Sequence, residues 1–105
     1  MITEINEADF ENSVIKSDLP VLVDFSASWC GTCRKLTPVL EEIGKNYEDK
    51  LKMVKINIDQ NINIAKEYSV SGLPSILIFK NGKPEERLAG LMPKSTIISS
   101  IEKHL

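Results

Sequence analysis

Short apolar runs alternate with amphipathic stretches along the chain, a pattern that predicts strands alternating with helices. Residues 21–25 are apolar on both alternations apart from Asp24, which is typical of a central strand covered on both faces. Alternation over residues 53–58 predicts the next strand. Between them, an apolar stripe predicts a helix over about residues 33–47, which Pro38 should kink. Strand, helix and strand in this order indicate a right-handed parallel crossover.

Helix signals also stand near both ends of the chain. A first helix is predicted from Asn6, whose side chain can cap the amide of Asp9. Ile5 and Phe10 occupy the two positions of a hydrophobic staple around that start. A last helix is predicted to begin near Ser95. Its apolar face consists of Ile97, Ile101 and Leu105.

The second half of the chain predicts a short helix followed by a β-hairpin. The helix covers residues 62–68, and a strand follows over residues 75–80. Asn81-Gly82 separates this strand from another over residues 85–91, and these two residue types accept the positive φ angles of a type I′ turn. The predicted fold class is α/β, with a mixed central sheet of four to five strands flanked by about four helices.

Length and composition fit one domain spanning residues 1–105. The chain has 105 residues, 42% hydrophobic and 27% charged, which excludes a mainly disordered protein. A net charge of −2 without a basic stripe argues against nucleic-acid binding, and no apolar run approaches the ~20 residues that span a bilayer. Residues 1–7 are neither basic nor strongly apolar, so we expect no signal peptide and a cytoplasmic location. We also expect a monomer.

The two cysteines carry the clearest chemical signal. Cys30 and Cys33 follow the predicted buried strand and begin the predicted helix. Unpaired amides and the positive end of the helix dipole stabilise an anion there, and the thiolate is the nucleophilic form of cysteine. A spacing of three places both sulfurs on one helix face, near enough to bond. The pair therefore favours redox chemistry with Cys30 as the activated thiol.

Two other interpretations of the pair stay open. A stabilising disulfide is one, although closing a four-residue loop contributes only about 2 kcal/mol, against about 4.7 kcal/mol for a 100-residue loop. A zinc site is the other, although zinc normally takes four ligands and the remaining candidate, His104, stands far away in the sequence. We expect His104 to act only as a cation near a helix C-terminus, and we expect no metal site.

Residues from most of the chain resemble the thioredoxin family in their order and spacing. They are Trp29-Cys30-Gly31-Thr32-Cys33 with Pro38, Asp24 before them, and Gly72-Leu73-Pro74 and Asn81-Gly82 after them. The resemblance implies the thioredoxin fold and a thiol–disulfide oxidoreductase that reduces protein disulfides through a mixed-disulfide intermediate. It also implies no cofactor beyond a redox-active Cys30–Cys33 disulfide. The implied partners are a flavoprotein thioredoxin reductase and disulfide-containing proteins.

Four residues are candidates for the chemistry. Cys30, at the more exposed helix tip, should attack the substrate disulfide, and Cys33 should then resolve the mixed disulfide. Asp24 is either a partly exposed aspartate at a strand end or a buried base that takes the proton of Cys33, and the resemblance implies the second role. Lys55 either lies near Asp24, where the two titrations would couple, or is an ordinary solvated lysine.

The resemblance also implies a substrate surface around the cysteines. Pro74 matches the cis-proline of the family, and the backbone of Leu73 would pair with an extended substrate segment. Trp29 is either part of the core or packed against the active site. The remaining contact candidates are Gly31, Thr32, Ala89, Gly90 and Leu91. Two residues depart from the family pattern: Ser26 stands where the family often has an aromatic residue, and Thr32 stands where it often has proline. These departures bear on the reduction potential and the substrate range.

Two competing functions share this fold. A thioredoxin-fold scaffold would need neither the cysteine pair nor Asp24 and Pro74, which are all present. An oxidase or isomerase of secreted proteins would be expected to carry a signal peptide. The sequence therefore favours the reductase.

Overall fold

The computed structural model describes residues 2–105 and contains one five-stranded sheet. Its strand order is β1-β3-β2-β4-β5. The strands β1 and β2 run parallel to β3, whereas β4 is antiparallel to both β2 and β5. The strand bounds are Thr3–Glu4 for β1, Val21–Ser26 for β2, Lys52–Asn57 for β3, Ser75–Lys80 for β4 and Lys83–Ala89 for β5.

Three α-helices and an N-terminal helical segment flank the sheet. The helices are α1 at Gly31–Gly44, α2 at Ile62–Glu67 and α3 at Lys94–Glu102. The N-terminal segment combines a 3-10 turn at Glu7–Asp9 with a π-helical turn at Glu11–Ile15. None of the helices within residues 2–105 is long and apolar enough to cross a membrane. The predicted α/β class and the mixed sheet are confirmed.

The central strand β2 is buried on both faces, as its apolar pattern predicts. Its odd-numbered residues join one core cluster with the N-terminal segment and α2. Leu22 joins the other cluster with α1 and α3, which cover the opposite face. We call that opposite face the α1 face. Because side chains alternate along a strand, Asp24 and Ser26 also belong to the α1 face.

Element positions agree with the sequence to within a few residues. The strand at 75–80 and the hairpin are confirmed, and Asn81 and Gly82 have φ angles of 54° and 78°. The helix predicted over 33–47 begins two residues earlier, because Cys30 is its N-cap, and ends at Gly44. The last strand covers Lys83–Ala89 rather than 85–91. Strand β1 is not predicted from the sequence, because two residues are too few to show an alternation of apolar and polar positions.

Three local predictions are wrong. The amide of Asp9 donates to the backbone carbonyl of Asn6 at 2.9 Å, and the Asn6 side chain makes no capping bond. Leu105 lies beyond the end of α3 and is 41% exposed, so it does not extend the buried face. His104 is more than a terminal cation, because its Nε2 lies 3.0 Å from the carboxylate of Glu86 on β5. The proposed staple pair, Ile5 and Phe10, is buried in one cluster.

Candidate functional site

The cysteine pair lies where β2 leads into α1, and it is bonded as a disulfide. Cys30 is the extended N-cap residue of α1 and Cys33 lies in the first turn, with 5.3 Å between their Cα atoms. The backbone amide of Cys33 donates to Cys30 Sγ at 3.2 Å. This amide is one of the donors that a helix N-terminus leaves without an intrahelical acceptor. A negative charge on Cys30 Sγ would therefore meet a donor that is already in place.

A second donor reaches the same sulfur. Thr32 Oγ1 lies 3.3 Å from Cys30 Sγ, and the hydroxyl is the donor because a disulfide sulfur carries no proton. Hydrogen bonds to an ionised acceptor are stronger than bonds to a neutral one, so both donors favour the thiolate over the disulfide sulfur. Thr32 departs from the family pattern, and that departure alone does not predict this contact. The sequence feature that could have indicated the contact is a hydroxyl residue two positions after the helix N-cap.

Asp24 is a buried carboxyl group without a hydrogen-bond partner. It is 0% exposed, and neither carboxylate oxygen has a partner among residues 2–105. Burial raises the pKa of Asp24 from the ordinary 3.8 to about 6, and the positive charge of Lys55 partly opposes that rise. Lys55 stands beside Asp24 in the β2–β3 register, so the two lie on the same face of the sheet. The interpretation of Asp24 as a partly exposed residue is wrong.

Replacing Asp24 should stabilise the protein in a way that depends on pH. A carboxyl whose pKa is higher in the folded state binds its proton more tightly there, so its contribution is full below pH 3.8 and is lost as pH rises through about 6. Asp24→Ala should therefore gain about 2 kcal/mol of unfolding free energy relative to wild type on going from pH 4 to pH 7.5.

Denaturant unfolding at both pH values measures this difference. The smaller alanine side chain lowers the unfolding free energy by the same amount at both pH values, so this contribution cancels in the comparison. The exposed aspartate Asp18 supplies the control, Asp18→Ala, which should show no such gain. If the unfolding free energy of Asp24→Ala differed from that of wild type by the same amount at both pH values, the burial of an ionisable group would be contradicted.

A cavity of about 240 Å³ opens beside Cys33 and Lys55. Ser26, Cys33, Lys55 and Asn57 are among its lining residues, whereas Asp24 is buried and does not line it. The small side chain of Ser26 contributes to this space, at the position where the family often has an aromatic residue. The cavity offers room for water next to Cys33 and Lys55, and these polar walls can hold it.

Trp29 lies on the surface next to the disulfide. It is 67% exposed, and its indole Nε1 donates to Asp59 Oδ2 at 2.7 Å. The interpretation of Trp29 as a core residue is therefore wrong. Asp59 follows β3, thirty positions after Trp29, so no local sequence pattern indicates this contact.

The loop before β4 meets the cysteine pair from the other side. The Leu73–Pro74 bond is cis, as the resemblance implied. Leu73 packs against the small buried cluster of Ala27, Cys30 and Cys33. The Pro74 carbonyl accepts a hydrogen bond from Gly90 at 2.8 Å, and Gly90 has a φ of 81°, which favours glycine. The loop before β4 thus contacts the cysteine cluster through Leu73 and the turn after β5 through Pro74.

The zinc interpretation finds no support in the geometry of residues 2–105. His104 is engaged with Glu86 on β5, its Nε2 lying 3.0 Å from Glu86 Oε2, and does not contact the cysteines. No group of three or more His, Cys, Asp or Glu side chains in that part of the chain could hold a metal ion. The two cysteine sulfurs are bonded to each other.

Comparison with known proteins gives a consistent result. A family model described as Thioredoxin matches residues 1–103. The chain is 48% identical over 101 residues to "Thioredoxin M-type, chloroplastic" of Chlamydomonas reinhardtii, covering 96% of this chain and 72% of that protein. It is 45% identical over 102 residues to "Thioredoxin" of a Synechocystis species, covering 97% and 95%. It is 44% identical over 105 residues to "Thioredoxin" of Rickettsia bellii, covering both chains completely.

The family model and these relatives extend over nearly the whole chain, so the likeness is not confined to the cysteine motif. Proteins of this family use no cofactor, because the cysteine pair itself carries the electrons. The fold, the bridged pair at the start of α1 and the relatives all lead to one conclusion: the chain belongs to the thioredoxin family of thiol–disulfide oxidoreductases.

Proposed function

We propose that this protein works as a reductase of protein disulfides, with Cys30 as nucleophile and Cys33 as resolving thiol. In the reduced protein, the Cys30 thiolate attacks one substrate sulfur, forms a mixed disulfide and releases the other substrate sulfur as a thiolate. Cys33 then attacks Cys30 Sγ, which releases the second substrate thiolate and forms the internal disulfide. The observation that carries this assignment is the pair of donors, the Cys33 amide and the Thr32 hydroxyl, on Cys30 Sγ.

Asp24 is proposed as the base for the second step. Cys33 must lose its proton before it attacks, and α1, which carries Cys33, covers the face of the sheet to which Asp24 belongs. With a pKa of about 6, the Asp24 carboxylate is ionised at neutral pH and close enough in basicity to accept a proton. Lys55 favours this ionised form through its charge, so we assign it a positioning role.

The proposed substrate surface consists of the segments that converge on the disulfide. Leu73 would offer backbone groups to an extended substrate, next to the cis Pro74 and close to Gly90. Trp29, 67% exposed, would supply apolar contact area from the opposite side. The helix-tip residues Gly31 and Thr32 complete the set, and both are exposed.

Each turnover leaves the protein oxidised, so a reductant must restore the two thiols. Membership of the family implies disulfide substrates and a thioredoxin reductase in general. We propose a flavoprotein reductase as the specific partner and a monomer formed by a single domain of residues 1–105. We propose a cytoplasmic location, since reducing compartments keep such dithiols active. The chloroplastic relative shows that the family also serves an organelle, and cell fractionation tests the assignment.

Reduction of insulin disulfides tests the proposal. Wild-type protein with NADPH and a thioredoxin reductase should precipitate insulin B chains, and the Cys30→Ser, Cys33→Ser double variant should not. A scaffold without redox function would give the slow background rate for both proteins. An isomerase would instead reactivate ribonuclease with scrambled disulfides more effectively than it reduces insulin.

Removing the Thr32 hydroxyl should make the protein a stronger reductant. Thr32→Val keeps the shape of the side chain but deletes the donor to Cys30 Sγ. The donor favours the thiolate, which belongs to the reduced form, so its loss should lower the reduction potential by about 30 mV, or about 1.4 kcal/mol. Thr32→Pro should shift the potential in the same direction, because proline also fits the first turn of a helix.

Equilibration with glutathione buffers, followed by thiol alkylation and a gel shift, measures this potential. Thr37→Val is the matched control, because the Thr37 hydroxyl lies on the same helix but donates to the Cys33 carbonyl at 3.2 Å. An unchanged or higher potential for Thr32→Val would show that the hydroxyl does not stabilise the thiolate.

A further inference from the structure

A second cleft, of about 470 Å³, shares Leu73 and Gly90 with the proposed substrate surface, and its other lining residues have no role in the reaction described above. One wall comes from the segment between α2 and β4, including Ser69, Ser71 and Leu73. The other wall comes from the end of β5 and the turn after it, including Arg87 and Gly90. The cleft is therefore lined by small polar and apolar residues and by one cation.

Leu73 connects this cleft to the disulfide. Its side chain packs against the cluster that contains Cys30 and Cys33, and the same residue lines the cleft. Gly90, also in the lining, donates to the carbonyl of Pro74. A polypeptide segment that pairs with Leu73 while its disulfide meets Cys30 would therefore pass the opening of the cleft.

Arg87 gives the cleft its charge. One guanidinium nitrogen, Nη2, donates to the carbonyl of Tyr68, which holds the side chain across the end of α2. A guanidinium has five N–H donors, so this bond leaves others for a ligand. Within residues 2–105, no Asp or Glu oxygen comes within 4.0 Å of the Arg87 nitrogens. The Arg87 side chain is exposed and anchored by this one hydrogen bond, and no carboxylate among residues 2–105 neutralises its charge.

We propose that this cleft is a specificity subsite that accepts an acidic side chain of the substrate polypeptide, with Arg87 as the residue that selects it. Carboxylates match the planar fork of arginine, and the hydroxyls of Ser69 and Ser71 can donate to the same group. Arg87 on β5 precedes Gly90, in the turn after the strand, by three residues, a separation of at most roughly 10 Å in extended backbone. The preferred Asp or Glu should therefore stand about three residues from the substrate cysteine. The inference rests on the proposed reductase function.

Peptides with one cysteine, activated as the mixed disulfide with 5-thio-2-nitrobenzoate, test the subsite. In three matched series, Glu, Gln or Lys occupies each position from two to four residues on either side of the cysteine. The released chromophore reports the rate of attack by the reduced protein. At one of these positions, Glu should react about two- to fivefold faster than Lys, the range expected for a partly exposed ion pair, and 0.5 M NaCl should reduce the difference.

Variants of Arg87 assign this preference. Arg87→Gln should abolish the Glu-over-Lys difference and Arg87→Glu should reverse it, while the rate with the Gln peptide stays unchanged. Lys83→Gln removes the same charge from the far end of β5 and should retain the preference. Arg87→Lys should retain it in part, which keeps the test valid if loss of the bond to Tyr68 impairs folding of the other variants.

Equal rates for the Glu and Lys peptides with wild-type protein would overturn the subsite. A preference that persists in Arg87→Gln would also overturn it, because the selectivity would then arise elsewhere. Failure of wild-type protein to attack even the Gln peptides would instead overturn the reductase function, and the inference with it.

Discussion

Cys30→Ser should abolish disulfide reduction, whereas Cys33→Ser should complete the first attack and accumulate a mixed disulfide with the substrate. The asymmetry follows from the two steps, because only Cys30 Sγ receives the donors at the start of α1 and only Cys33 can release the bound substrate. Both sulfurs lie in buried residues, with Cys30 6% and Cys33 2% exposed, so access favours Cys30 only slightly and the donors carry the assignment. We expect turnover to fall to background in both variants, with an adduct in only one.

Intact-mass spectrometry after mixing each reduced variant with a peptide disulfide distinguishes the two outcomes. Cys33→Ser should gain the mass of one substrate peptide, and dithiothreitol should remove it. Cys30→Ser should remain unmodified over the same time. An adduct on Cys33 in the Cys30→Ser protein would mean that the roles are reversed.

Asp24→Asn should slow the second step without affecting the first. The amide has nearly the shape of the carboxyl group but cannot accept the proton of Cys33, so resolution should slow on the order of 100-fold at pH 7. In the wild-type protein, the rate of resolution should rise as pH passes through about 6, where the buried carboxyl ionises. Lys55→Met should move that rise to higher pH, because Lys55 lowers the pKa of Asp24.

Rapid-quench measurements with acid and alkylation follow the mixed disulfide through a single turnover. Asp18→Asn, a change of the same kind at an exposed position, should behave as wild type. If Asp24→Asn resolves the mixed disulfide at the wild-type rate across this pH range, another group or bulk water accepts the proton.

Much of this site could be predicted from the sequence because its signals are local. The apolar run of β2 predicts burial on both faces, which carries Asp24 into the interior. The spacing of Cys30 and Cys33 after that strand predicts their place at a helix start. Asn81-Gly82 likewise predicts its own turn, since the positive φ angles depend on those two residues alone.

The features that the sequence did not reveal depend on contacts between distant residues. The N-terminal helical segment is an example. The Glu7 amide donates to Asn61 Oδ1 at 2.7 Å, and the Glu7 carboxylate accepts from the Ile64 amide at 3.2 Å. This reciprocal capping by α2 replaces the local cap predicted for Asn6. The bond from Trp29 to Asp59 and the reach of Arg87 to Tyr68 are of the same kind. Local pattern cannot predict which distant partner a polar side chain finds.

The central claim, that the start of α1 makes Cys30 the reactive thiol, is tested most directly by alkylation of the reduced protein. Iodoacetamide at pH 7 reacts with thiolates, and peptide mapping assigns each modification to Cys30 or Cys33. We predict that Cys30 is modified first and faster than the same cysteine in the unfolded protein. Modification of Cys33 first, or of both cysteines at the unfolded rate, would contradict the account.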